Sequence, residues 1–310
     1  MNTRTLGKTD LVLSEITLGT WGLAEQSYGK VEPTRLREVI DAALEIGVTT
    51  FDVAPLWGDG AAEQTLGDAL NEAGTEDAVV ITRGGRRRHE GEVVGDFRED
   101  ALRRDCEASL ERLGRDQVEL FLLHNPSDDV ILKEDWRGAV ESLLDEGKIG
   151  AWGISVGGTE DARLAIHAGA QAICLPHNLA SAHRIDDLLT ELATANCGVL
   201  ARSPLMYGLL AGQWSAMKRF EDEDHRSRRW GPDAFDARVR QIQKLEFLAN
   251  GEHGDLATAA LRYVLSNSLV TSALVGARTP AQIDHAVAAA ERGAPYISDD
   301  DMARIAKLIG

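Results

Sequence analysis

The feature that most constrains this chain is an alternation that runs its whole length. Short runs that are apolar on both faces are followed by longer stretches with the three-to-four-residue periodicity of helices. The clearest run is VELFLLH at 118–124, apolar at every position but Glu119 until its closing histidine. A strand of this kind needs cover on both sides, which is the situation of parallel strands flanked by helices. The pattern predicts strands at 15–19, 48–53, 78–82, 118–124, 149–155, 171–175, 198–201 and 271–275. Helices are expected at 33–46, 62–72, 96–113, 136–146, 160–168, 183–195, 237–249, 255–268 and 280–290, with a last one at about 299–308. In the first of these, Leu36, Val39, Ile40, Ala43 and Leu44 share a face, Pro33 suits a helix start and Gly47 a stop.

Eight βα units in 310 residues fit a closed (β/α)₈ TIM barrel, of the α/β class, better than an open doubly wound sheet. No G-x-G-x-x-G follows the first strand, which argues against the dinucleotide-binding open sheet. No internal linker stands out. Residues 1–310 therefore read as one barrel domain, with a long loop at about 211–235 after the seventh strand.

Composition narrows the partners. The chain is 44% hydrophobic and 27% charged, which is globular, and its formal net charge is −17. Such a surface repels nucleic acid and anionic membranes, so a small molecule is the expected partner. The run Arg86-Arg87-Arg88-His89 is expected to be a solvated loop rather than a nucleic-acid patch. Cys106, Cys174 and Cys197 are an odd, scattered set that suggests no disulfide framework and fits a reducing cytosol. The N-terminus lacks the apolar run of a signal peptide, and no apolar stretch is long enough to span a bilayer. A cytoplasmic protein is expected. Neither HExxH nor paired CxxC occurs, so no metal site is expected.

In a barrel of this type the active site lies at the C-terminal ends of the strands. In order, those ends offer Trp21, then Asp52 and Trp57, Arg83, His124, Ser155, His177 with Asn178, Arg202 with Ser203, and Gly276 with Arg278. An acid, a histidine and several arginines thus converge from distant parts of the sequence. Trp57 and Trp21 read as pocket wall, since indole is an apolar surface with one donor. Asp52 reads as an ion-pair partner for Arg83 or as part of the catalytic group, and Cys174 as small core filler. Arg83 and Arg202 point into a mouth short of carboxylates, which suggests an anionic ligand. The charged stretch at 221–230 reads as a lid or as a surface excursion.

The chain resembles the aldo-keto reductase superfamily nearly end to end. The resemblance is carried by RTLGKTDLVLSEITLGTWG, FDVAPLWGDGAAEQTLGDAL, LFLLHNPSD, EGKIGAWGIS, SPLMYGLLAG and LVGARTPAQID, in that order. It implies a barrel that binds a nicotinamide cofactor, NADP(H), across its mouth and reduces carbonyls with an Asp, Tyr, Lys and His tetrad. Carried over position by position, the aspartate is Asp52 and the histidine His124, but the tyrosine falls on Trp57 and the lysine on Arg83. Indole has no acidity near neutral pH, and a guanidinium cannot be deprotonated. At the nicotinamide end Ser155 matches, but its expected Asn neighbour is Val156, a glutamine falls on Cys174 and the stacking aromatic on Arg202. The phosphate end is better kept: Ser203 and Leu205 lie in SPLMYGLLAG, and Gly276, Arg278 and Gln282 open the last barrel helix. The adenine-side pair falls on His285 and Ala286.

These readings combine into an expectation. The chain would be an aldo-keto-reductase-like enzyme whose carbonyl reduction is impaired or lost. It would perform redox-neutral acid/base chemistry of lyase or isomerase type on a small anionic carbonyl compound. His124, Asp52 and Arg83 would be catalytic, and Trp57, Trp21 and Arg202 would bind substrate. Two alternatives stand beside it. One is an NADPH-dependent reductase with a non-standard proton donor, the other a non-catalytic nucleotide-binding or regulatory barrel.

Overall fold

The computed structural model describes residues 1–310 except Pro33, Glu76, Ala182, Ala216, Asn250 and Gly310. Its strands are β1 (Thr3–Thr5), β2 (Val12–Ser14), β3 (Ile16–Gly19), β4 (Thr50–Asp52), β5 (Val79–Gly84), β6 (Arg86–His89), β7 (Glu92–Gly95), β8 (Val118–His124), β9 (Ile149–Ser155), β10 (Ala172–Pro176), β11 (Gly198–Arg202) and β12 (Val270–Val275). Eight of them close into a parallel barrel in the order β3-β4-β5-β8-β9-β10-β11-β12, with β12 pairing back onto β3. The fold is a (β/α)₈ TIM barrel. The expected strands at 118–124 and 149–155 are found residue for residue, and the others within two residues at either end.

Strand alternation sorts each barrel strand into two layers. On β8, Leu120 and Leu122 join an inner cluster with Ile81, Ala151, Cys174 and Leu200. Phe121 and Leu123 join the outer core under the helices. The hairpin β1–β2 covers the N-terminal end, where Leu6 and Leu13 close the inner cluster. Arg4 fixes this hairpin by donating to the carbonyls of Val270 and Leu265. The same alternation decides what faces the other end. Counting on in steps of two, the last inward positions are Asp52, Arg83, His124, Ser155 and Arg202.

One buried ion pair anchors the strand that carries Arg83. Glu63, on the helix Ala61–Ala73, is fully buried. It accepts from the Thr82 hydroxyl and from Arg112 Nε, each at 2.6 Å. Arg112 lies on the next helix, Glu99–Leu113, which approaches so closely that a Cβ on Gly67 would sit 2.5 Å from the Leu113 carbonyl oxygen.

Several segments differ from expectation. Arg86–His89 is a strand, not a loop; it pairs antiparallel with β7, with Arg86 opposite Gly95. The expected loop at 211–235 contains the helix His225–Arg229 and the start of the helix Pro232–Gln243. The expected helix at 183–195 is two, His183–Asp186 and Leu189–Ala195, and that at 237–249 is likewise split after Gln243. Apolar spacing carries no information about such breaks. The first barrel helix spans Arg35–Glu45; Pro33, expected at its start, lies outside the described residues. Among the described residues no helix is long and apolar enough to cross a membrane.

Replacing Arg112 by Met strands the Glu63 carboxylate in the core. We expect a loss of about 3 kcal/mol in urea unfolding, the usual cost of breaking one side of a buried pair. A loss below about 1 kcal/mol contradicts this role for the pair.

Candidate functional site

All twelve residues proposed from the sequence as catalytic, substrate-binding or cofactor-binding line one cavity of about 850 Å³ at the C-terminal end of the barrel. At its floor Arg83 Nη2 donates to Asp52 Oδ1 at 2.5 Å, and both side chains are about 95% buried. Arg83 therefore has the partner that the sequence left open. Its Nη1 donates to Ser155 Oγ at 3.1 Å, and Ser155 in turn donates to Asn125 Oδ1 at 2.7 Å. Asn125 sits in the left-handed region, φ 49°, just past the end of β8, and its carbonyl accepts from Arg86 Nη2 at 2.7 Å. Trp57 is 7% exposed, with the Arg83 guanidinium carbon 5.3 Å from its ring centroid. That distance is a cation–π contact.

Arg202 reaches sideways from the end of β11. Its Nη2 donates to the Val156 carbonyl at 2.9 Å, so the side chain passes over the end of the intervening strand β10. It forms no ion pair among the described residues. Arg83 Nε, Arg202 Nε and His124 Nδ1 are buried without a hydrogen-bond partner.

Electrostatics follow from this packing. Burial pushes the Asp52 carboxyl up, and Arg83 and then Arg202 pull it back. Burial lowers Arg83, but Asp52 and Cys174 outweigh it and the guanidinium is held charged. We take the pair as ionised, because a guanidinium at this distance cannot release its proton. His124 is held well below its usual value, first by burial and then by Arg83, Arg86 and Arg202. It is a neutral imidazole in a positive field. Cys174 is fully buried, its thiol raised chiefly by burial; it packs in the inner cluster, and its sulfur accepts from Arg83 Nη2 at 3.8 Å, so it is more than the filler expected from the sequence. His177 is also buried, stacks 5.8 Å from Tyr263, and is pushed down to about 4 by desolvation; it does not line the cavity.

The outer cavity holds residues that the sequence did not single out. Tyr28, Tyr207, Trp214 and Arg226 all line it. The segment after β11 lies across the mouth and is tied to the chain after β3 by an isolated bridge between Tyr28 and Asp224. Arg226 fastens that tie. It forms an ion pair with Asp224 and stands 4.5, 4.9 and 4.6 Å from the ring centroids of Tyr28, Trp214 and Phe220. Burial pushes the Tyr28 hydroxyl up to about 12, with Arg226 opposing. No periodic signal marks these residues, because contacts between two distant loops place them. Further round, Arg278 and Gln282 flank the start of the helix Pro280–Glu291, and the Arg278 amide donates to Gln282 Oε1 at 2.7 Å. His285 and Ala286 line the same end. No group of three or more potential metal ligands occurs among the described residues.

Comparison with known proteins agrees with this architecture. Residues 15–309 match the model of the aldo/keto reductase family. The chain belongs to that family. It is 28% identical over 290 residues to the aldo-keto reductase YhdN of Bacillus subtilis, covering 92% of this chain and 87% of that protein. Its fold superposes on the glycerol dehydrogenase AKR11B4 from Gluconobacter oxydans with a TM-score of 0.85 and 28% identity, over 99% and 94% of the two chains. The holo form of the aldo-keto reductase AKR11C1 from Bacillus halodurans has the same fold, with a TM-score of 0.82 at 24% identity, over 99% and 96%.

In a histidine-ring NMR titration His124 should stay neutral through pH 6, and Arg202→Met should move its midpoint upward; a wild-type midpoint near 6.5 contradicts the positive field. The unfolded chain protonates this histidine near 6.5 while the folded chain resists, so its contribution to stability is lost as pH falls below about 6.5. Arg226→Ala should speed amide hydrogen exchange in 213–230 by about tenfold, the scale of a lost cation–π contact. Unchanged exchange would show that the tie is held by other contacts.

Proposed function

We propose that this family member binds a small anionic carbonyl compound and moves a proton next to its carbonyl without net oxidation or reduction. The observation that carries the reading is the charge balance at the strand ends. Arg83 and Arg202 stand around a single carboxylate, Asp52, beside a neutral His124. An anionic substrate completes that balance. Burial is the larger reason that His124 resists a proton and the arginine field the smaller; an anionic substrate offsets the second, so substrate binding eases activation of the base. His124 would remove the proton alpha to the carbonyl, the electron pair would pass to the carbonyl oxygen, and Arg202 would stabilise the enolate. Return of the proton at a neighbouring carbon gives isomerisation. Loss of a leaving group gives elimination. Asp52 holds Arg83 in place rather than exchanging protons.

The family's nicotinamide cofactor fits only part of this cavity. Arg278 and the helix start beside Gln282 suit a phosphate. At the other end the Ser155 hydroxyl is already shared between Arg83 and Asn125, and Arg202 lies across to Val156 where the ring would stack. The proposed reaction therefore needs no nicotinamide. Support for the loss of carbonyl reduction is the reading that Trp57 and Arg83 stand at the family's tyrosine and lysine positions. A missing acid removes a factor of roughly 10²–10⁴ from such a reaction.

A second reading, NADPH-linked reduction with another proton donor, is favoured by that phosphate end and by the activities named for the Bacillus subtilis and Gluconobacter oxydans proteins. One experiment separates the two. Purified protein without nicotinamide should exchange deuterium from D₂O into the carbon next to the ketone of a 2-oxo acid, on the side away from the carboxylate, and His124→Ala should lose about a hundredfold or more of that rate. No exchange, together with ordinary NADPH oxidation by an aldehyde panel, would establish the second reading instead.

A further inference from the structure

The chain is poor in aromatic residues, and they are unevenly placed. It has six tryptophans, four tyrosines and six phenylalanines. Five of these sixteen, Trp21, Tyr28, Trp57, Tyr207 and Trp214, line the cavity at the strand ends, and no phenylalanine does. Core filling does not account for this choice, since a core would take phenylalanine as readily. Rings with a polar edge are what a site open to both water and an apolar ligand retains.

Two of these indoles are set in place before any ligand arrives. Trp57 follows β4, is almost wholly buried, and is held against the Arg83 guanidinium. Trp21 follows β3, the neighbouring barrel strand, and its ring meets Tyr28, Tyr207 and His225 edge-on at 5.5, 5.9 and 4.8 Å. Rigid rings lose little freedom when a second ring is laid against them. The cavity, at about 850 Å³, is near the upper end of ordinary ligand sites. A short aliphatic acid held at Arg202 would leave the half-buried Trp21 ring, and the small exposed part of Trp57, against water.

We infer that the substrate is an aromatic acid: a carbonyl compound whose carboxylate is held at Arg202 beside Arg83 and whose aryl ring lies against Trp57 and Trp21. The inference rests on the anionic reading of the site given above, and adds the flat, unsaturated body. Arginine supplies the charge-assisted contact to the carboxylate, and the indoles supply faces that a puckered ring cannot match.

The test is calorimetric titration of the purified protein with phenylpyruvate, with 3-cyclohexylpyruvate as the puckered analogue of equal charge, and with the methyl ester of phenylpyruvate as the neutral one. Phenylpyruvate should bind about fivefold or more tighter than the cyclohexyl acid, the scale of aromatic pairing beyond area burial. It should bind about tenfold or more tighter than the ester, from loss of the charge-assisted contact. Trp57→Leu and, separately, Trp21→Leu should reduce the preference for the flat ring while keeping the preference for acid over ester; a cooperative unfolding transition in each variant shows that it is folded. A cyclohexyl acid that binds as tightly as phenylpyruvate overturns the aromatic assignment and leaves the anionic reading standing. An ester that binds as tightly as the acid overturns both. If none of the three binds while NADP⁺ does, the aromatic wall serves a nucleotide and the inference is wrong.

Discussion

A guanidinium and a carboxylate 2.5 Å apart, both out of water, close the upper end of this barrel. Much of the site's geometry depends on that contact. Burying either charge alone would cost several kcal/mol, so Asp52 and Arg83 hold each other in place. Arg83 then uses its second nitrogen to fix Ser155, which fixes Asn125, which anchors Arg86. Trp57 lies against the same guanidinium. A lysine could pair with Asp52 but has no second planar fork with which to order Ser155. The arginine is always charged, so after burial it is a permanent contributor to keeping His124 neutral.

Much of this was legible in the sequence, for one reason. In a parallel barrel both the apolar layers and the site residues obey a period of two. Once VELFLLH is recognised as a strand buried on both faces, the inward position of His124 follows from Leu120 and Leu122. The same counting places Asp52, Arg83, Ser155 and Arg202 at one rim. What escaped was not periodic. RRRH and EVVG form a two-stranded hairpin with little apolar surface, so nothing in their pattern distinguishes them from a loop. Tyr28, Tyr207 and Arg226 reach the cavity through a bridge between segments nearly two hundred positions apart. The partner of Arg83 was named correctly as one option, but burial decided it, and burial is a property of the folded chain.

The cavity and the protein's surface differ in sign. The chain as a whole carries −17. The cavity lining carries six arginines or lysines against Asp52 and Asp255. A basic cleft in an acidic molecule draws anions inward and discourages polyanions from docking elsewhere. The outer cations suit a phosphate; on our reading the inner pair suits a carboxylate. The strap that Arg226 holds down joins the two halves under one cover.

The central claim of this account is that, with Trp57 and Arg83 at the strand ends and Tyr28 and Tyr207 confined to the outer cavity, the floor of the site lacks a group able to protonate a carbonyl oxygen in step with hydride delivery. The most direct measurement compares the wild-type protein with the double variant Trp57→Tyr/Arg83→Lys in NADPH oxidation with an aldehyde. The account predicts weak turnover by the wild type and a gain of about a hundredfold in the variant, the scale of a restored general acid. Wild-type turnover at the rate of an ordinary carbonyl reductase would contradict it, whether or not His124→Ala diminishes that rate.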